Sequence, residues 1–383
     1  MIADASGNLY GTTLIGGAND NSGCVFKLSR NGSGWSETVL HSFNSTDGWQ
    51  PTGALVFDQS GNLYGTAFGG GAYGGGVAFE LSPSSNGAWT ETILHNFGYY
   101  NDGHGAGSNL IFDADGNLYG TTTYASGERK GGTVFKLSPG PNGWTETILY
   151  TFPASTGGPD GDGPVGGVVI DHDGNLYGVT ETGGANGYGA MYELARLKDG
   201  RYQESVIHSF DLNDGGGALS GLAIDRNGTL YGATDIGGDL GLCYHMGCGV
   251  VFRVKRDAVW SWTEDVLHQM TGSDGTSLHG PVVFDSLGNL FAVASSGGIR
   301  GINGQGSVFE LTPTPSGPWN ETVLHFFDDT YQNGRDGCAP YARVIIRRGQ
   351  LFGTTVSGGA HDAGIVFEIA PPAPVREPGG EQP

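Results

Sequence analysis

No stretch of this sequence approaches the roughly 18 to 20 consecutive apolar residues that a membrane-spanning helix needs, so helical insertion into a bilayer is not expected. Basic residues are scarce: 18 Lys and Arg stand against 39 Asp and Glu, a net charge of −21. So anionic a chain repels nucleic acid and anionic membrane surfaces, and both partner classes drop out. Cysteines number four, too few to act as the main scaffold yet compatible with an oxidising compartment, so export is favoured. The opening Met1-Ile2-Ala3-Asp4 leads straight into a turn instead of a signal peptide, and reads as a processed or truncated start. Catalytic signatures are also missing: there is no Gly-x-Ser-x-Gly elbow, no His-Glu-x-x-His and no phosphate-binding loop.

Glycine, by contrast, occurs 72 times, and aromatics make up 11% of the chain. This balance fits many short strands joined by tight turns, an almost all-β protein. The string Gly-Asn-Leu-Tyr-Gly-Thr-Thr at 7 to 13 returns at Gly61 to Ala67, Gly116 to Thr122, Gly174 to Thr180 and Gly228 to Thr234, with weaker copies at Gly288 to Ala294 and Gly349 to Thr355. Seven copies follow one another at spacings of 54 to 61 residues, measured between Leu9, Leu63, Leu118, Leu176, Leu230, Leu290 and Leu351.

Each copy carries four short apolar runs, illustrated by Ala54 to Asp58, Asn62 to Thr66, Gly76 to Leu81 and Glu91 to Phe97, which read as strands A to D. Between A and B lies Asp-x-x-Gly-Asn, where an Asx-type hydrogen bond and a glycine able to take positive φ close a hairpin. Just before strand D stands a tryptophan, at Trp35, Trp89, Trp144, Trp262 and Trp319, available for packing between neighbouring units. One such unit cannot bury both of its faces, so stacked neighbours must supply the core. The expected fold is a seven-bladed β-propeller over residues 1–369, with a β-helix as the alternative and a flexible Pro-rich tail over 370–383. In this phase the last blade ends after strand C at Ile365 to Ile369, so three strands are expected there, with an unpaired edge.

The consensus Gly-x-Val-Phe-x-Leu, Glu-Thr-Val-Leu-His-Ser-Phe, Asp-Gly, Leu-x-x-Asp and Gly-Asn-Leu-Tyr-Gly-Thr-Thr-x-x-Gly-Gly resembles that of the GloVer tandem-repeat proteins, over residues 1 to about 369. These are bacterial surface or secreted proteins whose repeats often precede variable anchoring segments. The resemblance implies the repeat class and an extracellular or cell-surface location; it implies no activity.

In a propeller the D to A and B to C loops share one face. Here the A to B turns are nearly identical from unit to unit while the B to C loops vary freely, which places function on the variable face. A residue found in nearly every blade serves the blade first. His41, His95, His208, His268 and His325, with Tyr150 standing in once, occupy one position of strand D and are read as structural. The Asp-Gly aspartates Asp47, Asp102, Asp162, Asp214, Asp274 and Asp336 read as Asx turns, with a ring of carboxylates binding Ca²⁺ at the funnel mouth as the sharper alternative. Asp113-Ala-Asp115-Gly-Asn117 resembles the start of a calcium loop but coincides with a hairpin turn.

Residues that break the repeat are better ligand-binding candidates: Tyr99, Tyr100 and His104 entering blade 3, Tyr124, Glu128 and Arg129 in its B to C loop, Trp49 and Tyr73 in blade 2, and Tyr331, Arg335 and His361 in blade 7. Aromatics with a few polar groups suit stacking on sugar rings. Cys243 and Cys248 are expected to form a local disulfide, and Cys24 and Cys338 a bridge between blades 1 and 7. The reading that follows is a monomeric extracellular propeller binding carbohydrate or another surface polymer. Its alternatives are a polysaccharide hydrolase or lyase with its site in the funnel, marked by a blade-unique His, Tyr or carboxylate set, and a structural spacer.

Overall fold

A computed structural model describes residues 1–98, 102–125, 131–153, 158–257, 261–315, 318–328 and 336–371. Its strands form seven four-stranded sheets, a seven-bladed β-propeller, and the one helical element among the described residues is a 3-10 turn at Cys243–His245. The chain divides into two compact units, with blades 1 to 3 in the first, blades 5 to 7 in the second, and blade 4 contributing to both.

Blade 2 shows the pattern: strand A is Val56–Phe57, B is Leu63–Ala67, C is Gly74–Pro83 and D is Trp89–Gly98, each antiparallel to the one before. The A to B hairpin forms as its residues require. Asp58 Oδ1 accepts hydrogen bonds from the Ser60 and Asn62 amides, both at 2.8 Å, and Gly61 takes a φ of +86° that a side chain would resist. Asp113 does the same with Asp115 and Asn117 and also accepts from the Tyr119 hydroxyl at 2.9 Å, so its turn is a hairpin and its carboxylate is fully occupied.

Strand B is the Leu-Tyr-Gly segment, and its glycine has a packing role. In blade 3, Gly120 lies opposite Phe135 of strand C (Thr133–Gly140), and a Cβ on Gly120 would fall 2.6 Å from the Phe135 ring. The absence of a side chain lets the ring lie flat over the backbone. In five blades an aromatic at or just past the end of strand D meets that ring of the following blade, Phe43 on Phe79, Phe97 on Phe135, Phe152 on Tyr192, Phe210 on Phe252 and Phe327 on Phe367, with centroids 4.9 to 5.3 Å apart, while blade 5 has Met270 there. These buried rings form the core between blades. The expected tryptophan packing is present too, Trp89 against Tyr10, Trp144 against Tyr64 and Trp319 against Tyr231, each on strand B of the preceding blade.

The last blade corrects the expected three strands to four. Ile345–Arg347 and Val366–Ile369 flank Gln350–Ser357, and the fourth strand, Cys338–Pro340, pairs with Thr355 and Ser357. It is the segment leading into the blade, and it finds a ladder because Gln350–Ser357 runs on beyond its pairing with Ile345–Arg347. Equivalent segments in blades 2 and 3 make only single bridges, Trp49 to Gly69 and His104 to Tyr124. The expected tail falls almost wholly on residues 372–383, outside the described residues.

Candidate functional site

The repeated polar residues meet at the seams between blades. His41 Nε2 lies 3.4 Å from Asp47 and 3.6 Å from Glu91 of the next blade's strand D; His95 lies 2.9 Å from Asp102 and 3.5 Å from Glu146. His208 with Asp214 and Glu264, and His268 with Asp274 and Glu321, repeat the arrangement, while Tyr150 donates to Asp160 at 2.8 Å beside Glu204. His325 meets Asp336 at 3.2 Å. The second oxygen of Asp47, Asp102, Asp214 and Asp274 accepts from a backbone amide three or four residues earlier in its own loop at 2.7 to 2.9 Å, which closes the loop backwards instead of forming the expected Asx turn. Burial lifts the Glu91 carboxyl to about 8 and those of Glu146, Glu204 and Glu264 to about 7.

The structure therefore puts the repeated aspartates in separate groups, each facing the histidine of its own seam. Four of the groups bring three ligand atoms within 4.8 Å of one another, so each offers one carboxylate pair and one imidazole, and a proton on the glutamate balances its charge equally well. Asp162 is a correction. Asp160 holds the seam position, and Asp162, two residues on, accepts instead from the Gly131 amide at 2.7 Å. This loop holds two Asp-Gly pairs, Asp160-Gly161 and Asp162-Gly163, and only the first is in register with the other seams.

Of the aromatic candidates, His104 and Tyr124 come together, their rings 5.0 Å apart, with Phe68 edge-on to Tyr124. Trp49 and Tyr73 in blade 2 are exposed, as is His361 in blade 7. Tyr99, Tyr100, Glu128, Arg129, Tyr331 and Arg335 lie outside the described residues. Cys243 and Cys248 are bonded as expected. Cys24 and Cys338 are not: both are buried free thiols. Each turns instead to a hydroxyl opposite it in its own blade, Cys24 to Thr13 at 3.2 Å and Cys338 to Ser357 at 2.6 Å.

A group that the sequence reading did not single out lies in blades 5 to 7, on the variable face. Where blade 2 has Thr52, its counterparts are Gly107, Val165, Leu219, His279 and Tyr341; where it has Phe68, they are Thr123, Glu181, Asp235, Ser295 and Val356. These two rows repeat nothing, and four of their members converge. His279 Nδ1 is 2.9 Å from Ser295 Oγ; its Nε2 is 3.1 Å from the Tyr341 hydroxyl and 3.5 Å from Asp235 Oδ1. Tyr341 stacks on the imidazole with ring centroids 4.0 Å apart. Ser295 is buried, and its hydroxyl also bonds the Ser277 carbonyl at 3.1 Å, so it orients the imidazole while remaining covered itself. Tyr341 is half exposed. Burial holds the His279 pKa below its usual value, which keeps the ring neutral at neutral pH.

Within the first unit, at the A to B turns of blades 3 and 4, a cavity of about 410 Å³ opens beside Asp113, Asp171, Arg196 and Tyr202. It lies where Tyr202 replaces the tryptophan of other blades, and its aspartates Asp113 and Asp171 are already engaged in their hairpin turns.

The Gloeobacter/Verrucomicrobia repeat model matches residues 1–160 and 141–367. The chain belongs to that family. The repeat family's seven units here are the seven blades. No curated protein matches the chain. Among solved structures, this repeat protein is similar to one described as a putative 6-phosphogluconolactonase from Bacteroides uniformis, with 13% identity, 97% of each chain covered and a TM-score of 0.57, a likeness of fold alone. A luciferin-regenerating enzyme gives 14% identity over 84% of this chain and 94% of its own, with a TM-score of 0.44.

Proposed function

We propose that this propeller is an extracellular enzyme that cleaves polysaccharide by acid–base chemistry at Asp235, His279, Ser295 and Tyr341. The observation that supports it is His279: a blade-unique imidazole, oriented through Nδ1 by Ser295, with Nε2 turned to a phenol and a carboxylate. A neutral imidazole fixed at one nitrogen has its other lone pair available as a general base, and a neighbouring hydroxyl is a ready proton donor. Ser295 is covered and donates to a carbonyl, which favours an orienting role over that of a nucleophile.

The test is incubation of the full chain with a panel of acidic and neutral polysaccharides, reading new reducing ends. Turnover that His279→Ala abolishes, without loss of the folded-state circular dichroism, supports the reading; equal turnover by the variant removes it. Binding without chemistry is the second reading. It is favoured by the exposed Trp49 and Tyr73 and by the His104–Tyr124 pair, which suit the face of a sugar ring.

A further inference from the structure

Arg343 lies on the segment that carries Tyr341 into the last blade, and its position holds no charge in the other blades. Its counterparts in blades 2 to 6 are Ala54, Asn109, Gly167, Gly221 and Pro281, none of them charged. It lies two residues beyond Tyr341, and its backbone amide is 2.8 Å from the point that a Cβ on Gly280, the residue after His279, would occupy. The Arg343 Nε is buried and has no hydrogen-bond partner among the described residues. Burial also draws its pKa down, although the residue as a whole is only half-buried. A guanidinium held this way in a chain of net charge −21 is costly unless an anion arrives to meet it, and its planar fork fits a carboxylate.

We infer that the substrate is a uronate-bearing polysaccharide whose carboxylate docks on Arg343, and that its chain is broken by β-elimination. This rests on the acid–base reading above and narrows it. Glycoside hydrolysis in its usual form needs a pair of carboxyl groups roughly 5 to 10 Å apart, and Asp235 is the one carboxylate of this group. Elimination needs a different set: a cation on the carboxylate, a neutral base and a proton donor, which are Arg343, His279 and Tyr341.

The step balances without a co-reactant. His279 Nε2 removes the proton from the ring carbon that bears the carboxylate. The C–H electron pair becomes a double bond to the adjacent carbon as that carbon's bond to the glycosidic oxygen breaks. The departing oxygen takes the Tyr341 phenol proton, and the proton on His279 returns to Tyr341 across their 3.1 Å contact. Because base and acid touch, the hydrogen and the leaving oxygen depart from one face of the sugar. In uronates of gluco or manno configuration these two groups lie on one face; in the galacto configuration they do not.

The experiment incubates the full chain with a glucuronan, a polymannuronate, polygalacturonate and a neutral glucan. It follows the ultraviolet absorbance of the unsaturated product together with reducing ends, and calorimetry follows the binding of glucuronate and mannuronate oligosaccharides. Unsaturated product is expected from the glucuronan or the polymannuronate. Arg343→Met should slow it about 30- to 100-fold, the worth of a charge-assisted hydrogen-bonded pair, with partial rescue by Arg343→Lys. His279→Ala should lose turnover while still binding the oligosaccharide, which separates a failed step from a failed fold. Reducing ends from the neutral glucan, dependent on His279 and without unsaturated product, would leave the acid–base reading standing and overturn elimination. Absence of unsaturated product from every uronate polymer, or a rate indifferent to Arg343→Met, overturns the inference. Oligosaccharide binding lost in Arg343→Met without turnover in the parent would keep carboxylate docking and remove the chemistry.

Discussion

A Cβ placed on Gly65 would lie 2.7 Å from Cζ of Phe79, and the same contact recurs between Gly120 and Phe135 and between Gly232 and Phe252. In blade 6 the position holds Ala292, opposite Phe309, so there the blade already accommodates a methyl group. Gly120→Ala should destabilise the protein by about 1 to 3 kcal/mol through overpacking. Ala292→Gly should cost about 1 kcal/mol through backbone entropy. Denaturant midpoints of the two variants check the difference.

The seam carboxyls give stability a pH dependence. Glu91 holds its proton up to about pH 8 when folded, against an ordinary value of 4.5, so between those limits the folded state binds more protons than the unfolded one. Its contribution is complete below the lower limit and is lost as pH rises through the window. His41 acts oppositely: burial lowers its pKa, and the cost appears as pH falls below 6.5. Glu91→Gln, neutral at every pH, should therefore melt higher than the parent at pH 8 by about 2 °C or more. The two should converge near pH 5, as read by thermal scans across pH.

The four cysteines divide into two buried thiols and one bonded pair. Burial raises the Cys24 pKa, and Cys24 and Cys338 are both covered, whereas Cys243 and Cys248 are bonded to each other. Alkylation of the native protein should label none of the four cysteines. Denaturation without reductant should expose two, and reduction all four. Intact-mass spectra count the adducts.

Asn109 ties three blades together: its Oδ1 accepts from the Ala54 amide at 2.7 Å, and its Nδ2 donates to the Gly166 carbonyl at 3.2 Å. Asn109→Ala leaves both backbone groups without this partner and should cost about 1 to 3 kcal/mol in chemical denaturation.

The blades were legible because repetition states the same physical demand seven times: Asp and Gly for each hairpin, Leu-Tyr-Gly for each second strand. The glycine's reason was not legible, since Phe135 meets Gly120 only once strands B and C pair in register. Nor were the seams, because His41, Asp47 and Glu91 come from two units. His279 and Tyr341 were missed for the opposite reason: they sit where the copies disagree, and a search for repeats discards disagreement. Aligning the seven units and reading the columns with no consensus would have found them.

The seams carry one more consequence, for how such a chain can change length. At four junctions a histidine and an aspartate meet a glutamate of the following unit, and at a fifth a tyrosine takes the histidine's place, so these junctions are chemically alike. Duplicating or deleting a whole unit of the gene re-creates a junction the protein already has, whereas cutting inside a unit strands one half of a buried ionisable group. Growth and loss by entire repeats is then the inheritance pattern this architecture tolerates.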